Sequence, residues 1–179
     1  MRELVASIEG EYRRYQKLGE AALAQLRDDE LDRADGAADN APSAIVRHMA
    51  GNFVSRFTDF TTSDGEKPDR DRESEFDAPH ESRAELLARW EHGWSVLFAA
   101  LAPLTDADLA RTVTIRTVPL RVHEALHRSL SHAAYHVGQI VYAAKQRRGD
   151  AWQSLSIPRG GSSAYNAAPV HEKPPGGRA

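Results

Sequence analysis

Between residues 4 and 26 the apolar positions Leu4, Ile8, Tyr12, Tyr15, Leu18, Ala22 and Leu26 recur at steps of three and four. That period puts one face of an α-helix against a core. An acidic, alanine-rich connection follows, with a helical turn expected at Glu30-Leu31, and ends at Pro42. Ser43 then stands where a side chain can cap a second helix, which carries Ile45, Met49, Phe53, Phe57 and Phe60 and is predicted to end near Thr62. Residues 64–77 form a polar run of both charge signs that closes at Pro79. Loops of that length inside compact domains are usually functional or disordered, and here the density of Arg70, Arg72 and Glu75 predicts an ordered one.

A third helix is predicted over residues 82–101, through Leu86, Leu87, Trp90, Trp94, Leu97, Phe98 and Leu101, and Pro103 stops it. Thr105 begins a short capped helix to Leu109. The alternation in residues 112–116, followed by Val118-Pro119-Leu120, reads as a small hairpin. The last and longest helix spans residues 121–148. Lys145, Arg147 and Arg148 sit at the negative end of its dipole, and Gly149 is placed to take a left-handed cap. Four long amphipathic helices with one minor β element describe an all-α four-helix bundle, with a short helix and a small β-hairpin before the last long helix. The bundle domain is expected over residues 1–166, with a flexible, Pro- and Gly-containing tail at 167–179.

Composition narrows the function. A chain of 179 residues, 41% hydrophobic and 27% charged, suits one globular domain. Lys+Arg 23 against Asp+Glu 26 gives a net charge of −3, which offers no cationic excess for nucleic acid. No apolar run approaches the roughly 18 residues of a membrane span, and the start Met1-Arg2-Glu3-Leu4-Val5 lacks the apolar stretch of a signal peptide. No membrane partner and a cytoplasmic location are therefore expected. The absence of cysteine removes disulfides, thiolate nucleophiles and every Cys-containing metal motif, so a metal site must be built from His, Asp or Glu. Dinucleotide, Walker and Gly-x-Ser-x-Gly motifs are missing as well.

Four of the eight histidines, His123, His127, His132 and His136, crowd into the last long helix. At about 100° per residue, with His123 at 0°, His127 falls near 40°, His132 near 180° and His136 near 220°. Both His-x-x-x-His pairs border the apolar stripe of Leu126, Ala133, Val137, Ile140 and Ala144, so periodicity does not choose between them. Either spacing lets two imidazoles on one helix reach one ion. This is not the metalloprotease motif, because Ala133 stands where that motif has its general-base Glu. A third ligand must come from elsewhere, and His48 is the best candidate, on a helix beside Ile45 and Met49 with Asn52 four residues on. His80, His92 and His171 read as surface residues.

The segments His48-Met49-Ala50-Gly51-Asn52 and Ser131-His132-Ala133-Ala134-Tyr135-His136-Val137-Gly138-Gln139-Ile140 together resemble the DinB/YfiT-like superfamily of bacterial four-helix-bundle metalloproteins. Asp64-Gly65-Glu66-Lys67-Pro68 with Arg70, Arg72, Glu75 and Phe76, then residues 111–116 and 154–160, further resemble a branch carried as a domain of unknown function. The resemblance implies a divalent metal, zinc or nickel, held by His48, His132 and His136, and it implies thiol-dependent S-transfer or hydrolysis as the chemistry. A low-molecular-weight thiol would then supply the nucleophile that this Cys-free chain lacks. Asn52 and Gln139 are candidates to support the ligands or face a small-molecule substrate, and Arg70, Arg72 and Glu75 to recognise an anionic substrate or cover the site. The alternative is a non-catalytic, metal-stabilised binding or stress-associated bundle protein. A homodimer is expected through the apolar surface of Trp90, Trp94 and Phe98.

Overall fold

The computed structural model describes residues 1–34, 36, 40–77 and 81–170. Its helices are α1 (Glu3–Leu23), α2 (Asp28–Leu31), α3 (Pro42–Phe57), α4 (Ser74–Asp77), α5 (Arg83–Leu101), α6 (Val122–Arg148) and α7 (Ser162–Ala167). An antiparallel pair, β1 (Thr112–Ile115) and β2 (Val118–Arg121), precedes α6. The architecture is an all-α bundle of α1, α3, α5 and α6 with one small hairpin. Helix α3 packs most extensively on α5 and α1 on α6, while α3 and α6 meet over a shorter seam. Close approach of α3 and α5 depends on Gly93, where a Cβ would stand 2.7 Å from the Ala50 Cα.

The periodic stripes become the core. Leu126, Ala133, Val137, Ile140 and Ala144 of α6 are all fully enclosed, as is Tyr12 of α1, whose hydroxyl donates to the Leu126 carbonyl at 2.9 Å. In α1 the predicted stripe holds at Tyr12 and Ala22, but at the helix start Val5 is buried in place of Leu4, which is exposed. The turn of backbone there is set from outside the helix, by the Asp106 carboxylate, which accepts from the amides of Glu3, Leu4 and Val5 at 2.9–3.0 Å. Trp90 and Trp94 are 2% and 1% exposed, and Phe98 is half-buried with the Arg13 guanidinium over its ring. Trp94 meets Tyr12 and Trp90 edge-on and Phe53 at a tilt, and Phe98 stacks on it, so both tryptophans are taken up by the core. Sedimentation at micromolar protein tests the dimer independently of them.

Several predicted ends move. Helix α3 starts at Pro42 in the first helical position, with Ala41 as its N-cap, and Ser43 is buried within the first turn and not capping. The same helix stops at Phe57, five residues short of Thr62, because Asp59 takes φ +51° and its carbonyl collects the amides of Thr62 and Ser63. Phe60 remains buried beyond that turn. The helix at Thr105 is a short 3-10 turn, Asp106–Ala110, with Thr105 and Asp108 in a capping box. Gly149 is the C-cap of α6 at φ +50°, its amide donating to the Lys145 carbonyl, and it leads directly into another 3-10 turn.

The long polar loop is ordered by its neighbours. Asp64 accepts from the amides of Glu66, Arg116 and Thr117 at 2.7–2.8 Å, fastening the loop to the tip of the hairpin. These backbone donors hold its carboxyl well below the usual carboxylate range. Arg116 and Thr117 form the two-residue turn with φ +54° and +64°, a conformation disfavoured for side-chain-bearing residues, and Asp64 offsets that cost. Pro79 and His80 lie outside the described residues, as do residues 171–179 of the predicted tail, while 167–170 are exposed. No described helix is long and apolar enough to cross a membrane.

Candidate metal centre

His48, His132 and His136 face one another across the α3–α6 seam. Every residue from Pro42 to Ala50 is buried, so the His48 ring is enclosed, with Phe76 packed over it at 5.1 Å between centroids. On α6 one helical turn separates His132 and His136, and their rings lie 4.4 Å apart. The His132 Nε2 stands 3.2 Å from the His48 Nε2 and 3.1 Å from the His136 Nε2, and one ligand nitrogen from each ring falls within 4.8 Å of the others. Tetrahedral zinc with bonds of about 2.0–2.1 Å sets its nitrogens about 3.3 Å apart, and the two spacings that His132 makes match that value within a few tenths of an ångström.

The outer nitrogens strengthen that fit. His48 Nδ1 lies 2.7 Å from Glu75 Oε2, and His136 Nδ1 lies 2.7 Å from Gln139 Oε1. A carboxylate and an amide oxygen only accept, so each ring carries its proton on Nδ1 and presents a lone pair at Nε2. Two lone pairs then point at His132, whose own Nε2 proton can serve one of them at a time. A cation satisfies all three at once. Carboxylate and amide partners behind ligating imidazoles are the usual means of fixing tautomer and orientation at metal sites.

Glu75 is itself held. Arg70 donates to both of its oxygens, at 2.9 and 3.0 Å, and Arg47 donates to its backbone carbonyl at 3.1 Å. Burial pushes the Glu75 carboxyl up, but the hydrogen bonds from His48 and Arg70 outweigh it and keep the group below the ordinary glutamate range. The carboxylate reaches this position because residue 51 is glycine: a Cβ there would lie 2.2 Å from Glu75 Oε1.

Arg70 is therefore engaged with Glu75, and Glu75 with both Arg70 and His48, and of the loop's expected substrate-binding residues only Arg72 is exposed, paired with Glu73 at 3.0 Å and standing 5.1 Å over the Phe76 ring. Asn52 lines a cleft beside His48 and His132, whereas Gln139 sits behind His136 and reaches the Tyr135 hydroxyl at 3.2 Å. His123 is outside the cluster, with Nδ1 3.0 Å from the Leu109 carbonyl, and His127 and His92 are exposed. Sequence spacing alone does not single out Gly51, Arg56, Arg116 or Arg128. A usable signal exists for two of the arginines: His48, Asn52 and Arg56 follow one another at four-residue steps, as do Arg128, His132 and His136.

Burial, reinforced by the neighbouring histidines, pushes His132 down to about 3; burial likewise takes His136 to about 4, against the bond to Gln139. Both imidazoles stay neutral, the form that can ligate. In an unfolded chain each would titrate near 6.5, so from pH 6.5 down to about 4 for His136 and about 3 for His132 the unfolded state binds protons that the folded state refuses. The contribution of these two groups to stability therefore falls with falling pH through that window. Thermal midpoints taken in chelator should drop steadily from pH 7 to 4 in the wild-type chain. In a His132→Ala/His136→Ala double variant that slope should be shallower.

The fold and the site together define a helical bundle with a buried three-histidine group that could hold a metal ion. The family described as "Protein of unknown function (DUF1572)" matches residues 1–161, and the chain belongs to that family. No curated protein and no solved structure matches it.

Proposed function

We propose that this protein is a metal-dependent enzyme in which His48, His132 and His136 hold a divalent ion, zinc or nickel, for thiol-dependent S-transfer or hydrolysis of a small molecule. The observation that carries this reading is the convergence of three Nε2 atoms beside a cleft of about 190 Å³. Three protein donors with adjoining open space match catalytic sites, whereas structural zinc sites close with a fourth protein ligand. Among the described residues the ligand group contains those three side chains alone. Bound there, the ion would supply Lewis-acid activation of water or of a thiol. The chain's own residues fix the three donors: Glu75 and Gln139 hold protons on the outer ring nitrogens, Phe76 shields His48, and Asn52 presents an amide to the cleft. The resemblance to the DinB/YfiT-like superfamily supports the same ligand set.

Elemental analysis of the purified chain should find about one equivalent of zinc or nickel. Reconstituted protein should then turn over either a thiol-plus-electrophile pair or a hydrolysable ester or amide, with activity lost to chelator and restored by the ion. Stoichiometric metal that binds no azide or thiol, together with no turnover in either screen, would establish the ion as a structural staple and overturn the catalytic reading.

A further inference from the structure

The cleft beside His48 and His132 is lined by Arg56, Arg70, Arg72, Arg116, Arg128 and Asn52, and no Asp or Glu lines it among the described residues. Five guanidiniums meeting in so small a space repel one another unless anions intervene. The glutamates paired with these five arginines are fewer than the arginines. Glu66 is shared by Arg56 at 2.9 Å and Arg116 at 3.0 Å, with Arg70 at 3.9 Å. Glu75 is taken by Arg70 and His48, and Arg72 has the exposed Glu73. Arg128 has no ion-pair or hydrogen-bond partner among the described residues, yet it lines the cleft one helical turn ahead of His132. Four of the arginines thus share three glutamates, and the fifth, Arg128, is left without a carboxylate.

Arg116 adds a second, independent observation. It occupies a left-handed turn position, φ +54°, that favours glycine or asparagine, and the Asp64 contacts hold it there. That two-residue turn fixes where the Arg116 side chain leaves the backbone beside the cleft. Asn52, with no hydrogen-bond partner among the described residues, contributes an uncharged donor between the arginines and His48.

We infer that this cleft binds a small oxyanion ligand, a molecule bearing a carboxylate or a phosphate, gripped by Arg128 and Arg116 so that the rest of the molecule meets the three-histidine group. The planar guanidinium fork suits both anion types through paired N–H···O bonds. A volume of about 190 Å³ is that of about six waters, which admits a metabolite-sized anion. The inference names the substrate class of the proposed metal site and rests on that reading for the ligand's orientation, but the grip itself belongs to the arginines.

The test measures binding and not turnover. Inorganic phosphate and malonate are titrated separately into the full chain by calorimetry, once loaded with zinc and once in chelator, at low and at moderate salt. At least one probe should bind saturably in both metal states, with affinity falling as salt rises. Arg128→Gln should weaken it about tenfold or more, Arg128→Glu should abolish it, and Arg128→Lys should recover only part. Arg128 is exposed and unpaired, so these variants should keep the wild-type thermal midpoint. The stronger probe tells whether carboxylate or phosphate is the natural group. Unchanged affinity in Arg128→Gln and Arg128→Glu overturns the inference, as does binding that requires zinc and ignores the arginines, since the anion is then only a metal ligand. Anion binding that depends on Arg128 in a chain that takes up no metal would sustain the arginine grip and sink the metal reading instead.

Discussion

Replacing any one of His48, His132 or His136 by alanine is expected to lower zinc or nickel affinity by at least a hundredfold, enough to purify the chain essentially free of metal. Loss of a partner behind a ligand already costs about 10–100-fold at such sites, and loss of the ligand itself must exceed that. The remaining two imidazoles have no substitute at hand, because among the described residues no fourth His, Asp or Glu joins the group. Glu75 cannot slide in without abandoning Arg70, which grips both of its oxygens. His123→Ala and His127→Ala should leave occupancy unchanged, since one ring is tied to the Leu109 carbonyl and the other is exposed. Competition titration against a chromophoric chelator reads all five variants on one scale. Retention of metal in His132→Ala with loss in His127→Ala would reassign the site to the earlier pair.

Those two pairs show what the residue pattern carries and where it stops. The buried stripe of α6 is legible because it depends on period alone, and every one of its five predicted positions is enclosed. Which histidine pair matters depends on what lies across the seam, and that is tertiary information. His48 is visible as a polar position in an apolar helix, but its partner Glu75 is 27 residues away in a stretch without period, brought back by the path of the loop. The same limit governs helix ends. Ser82 with Glu85 forms a local capping box and α5 begins just after that serine, whereas α1 is capped by Asp106 from a hundred residues downstream and α3 is stopped by an aspartate in a left-handed conformation. Trp90, Trp94 and Phe98 look like excess apolar surface until Gly93 lets α3 close upon their helix.

Gly51 offers a way to test whether Glu75 truly sets the site, using a substitution that touches no ligand. Alanine at 51 places a Cβ 2.2 Å from Glu75 Oε1 and 2.9 Å from its Cδ. The carboxylate must leave, because two bonds to Arg70 and one to His48 give it no room to adjust in place. His48 then loses the acceptor that holds its proton on Nδ1, and metal affinity should fall about 10–100-fold. Helix propensity works in the opposite direction, since alanine in a helix interior is favoured over glycine by about 1 kcal/mol. A general loss of folding is therefore not the expected cause. The decisive comparison is a double-mutant cycle with Glu75→Ala. The three atoms nearest the added Cβ all belong to the Glu75 side chain beyond its Cβ, so once the glutamate is shortened no clash remains and Gly51→Ala should cost little further affinity in that background. The two effects should be strongly non-additive, as for groups that share one contact. Additive losses, or full-strength zinc binding in Gly51→Ala, would mean that the carboxylate does not position His48.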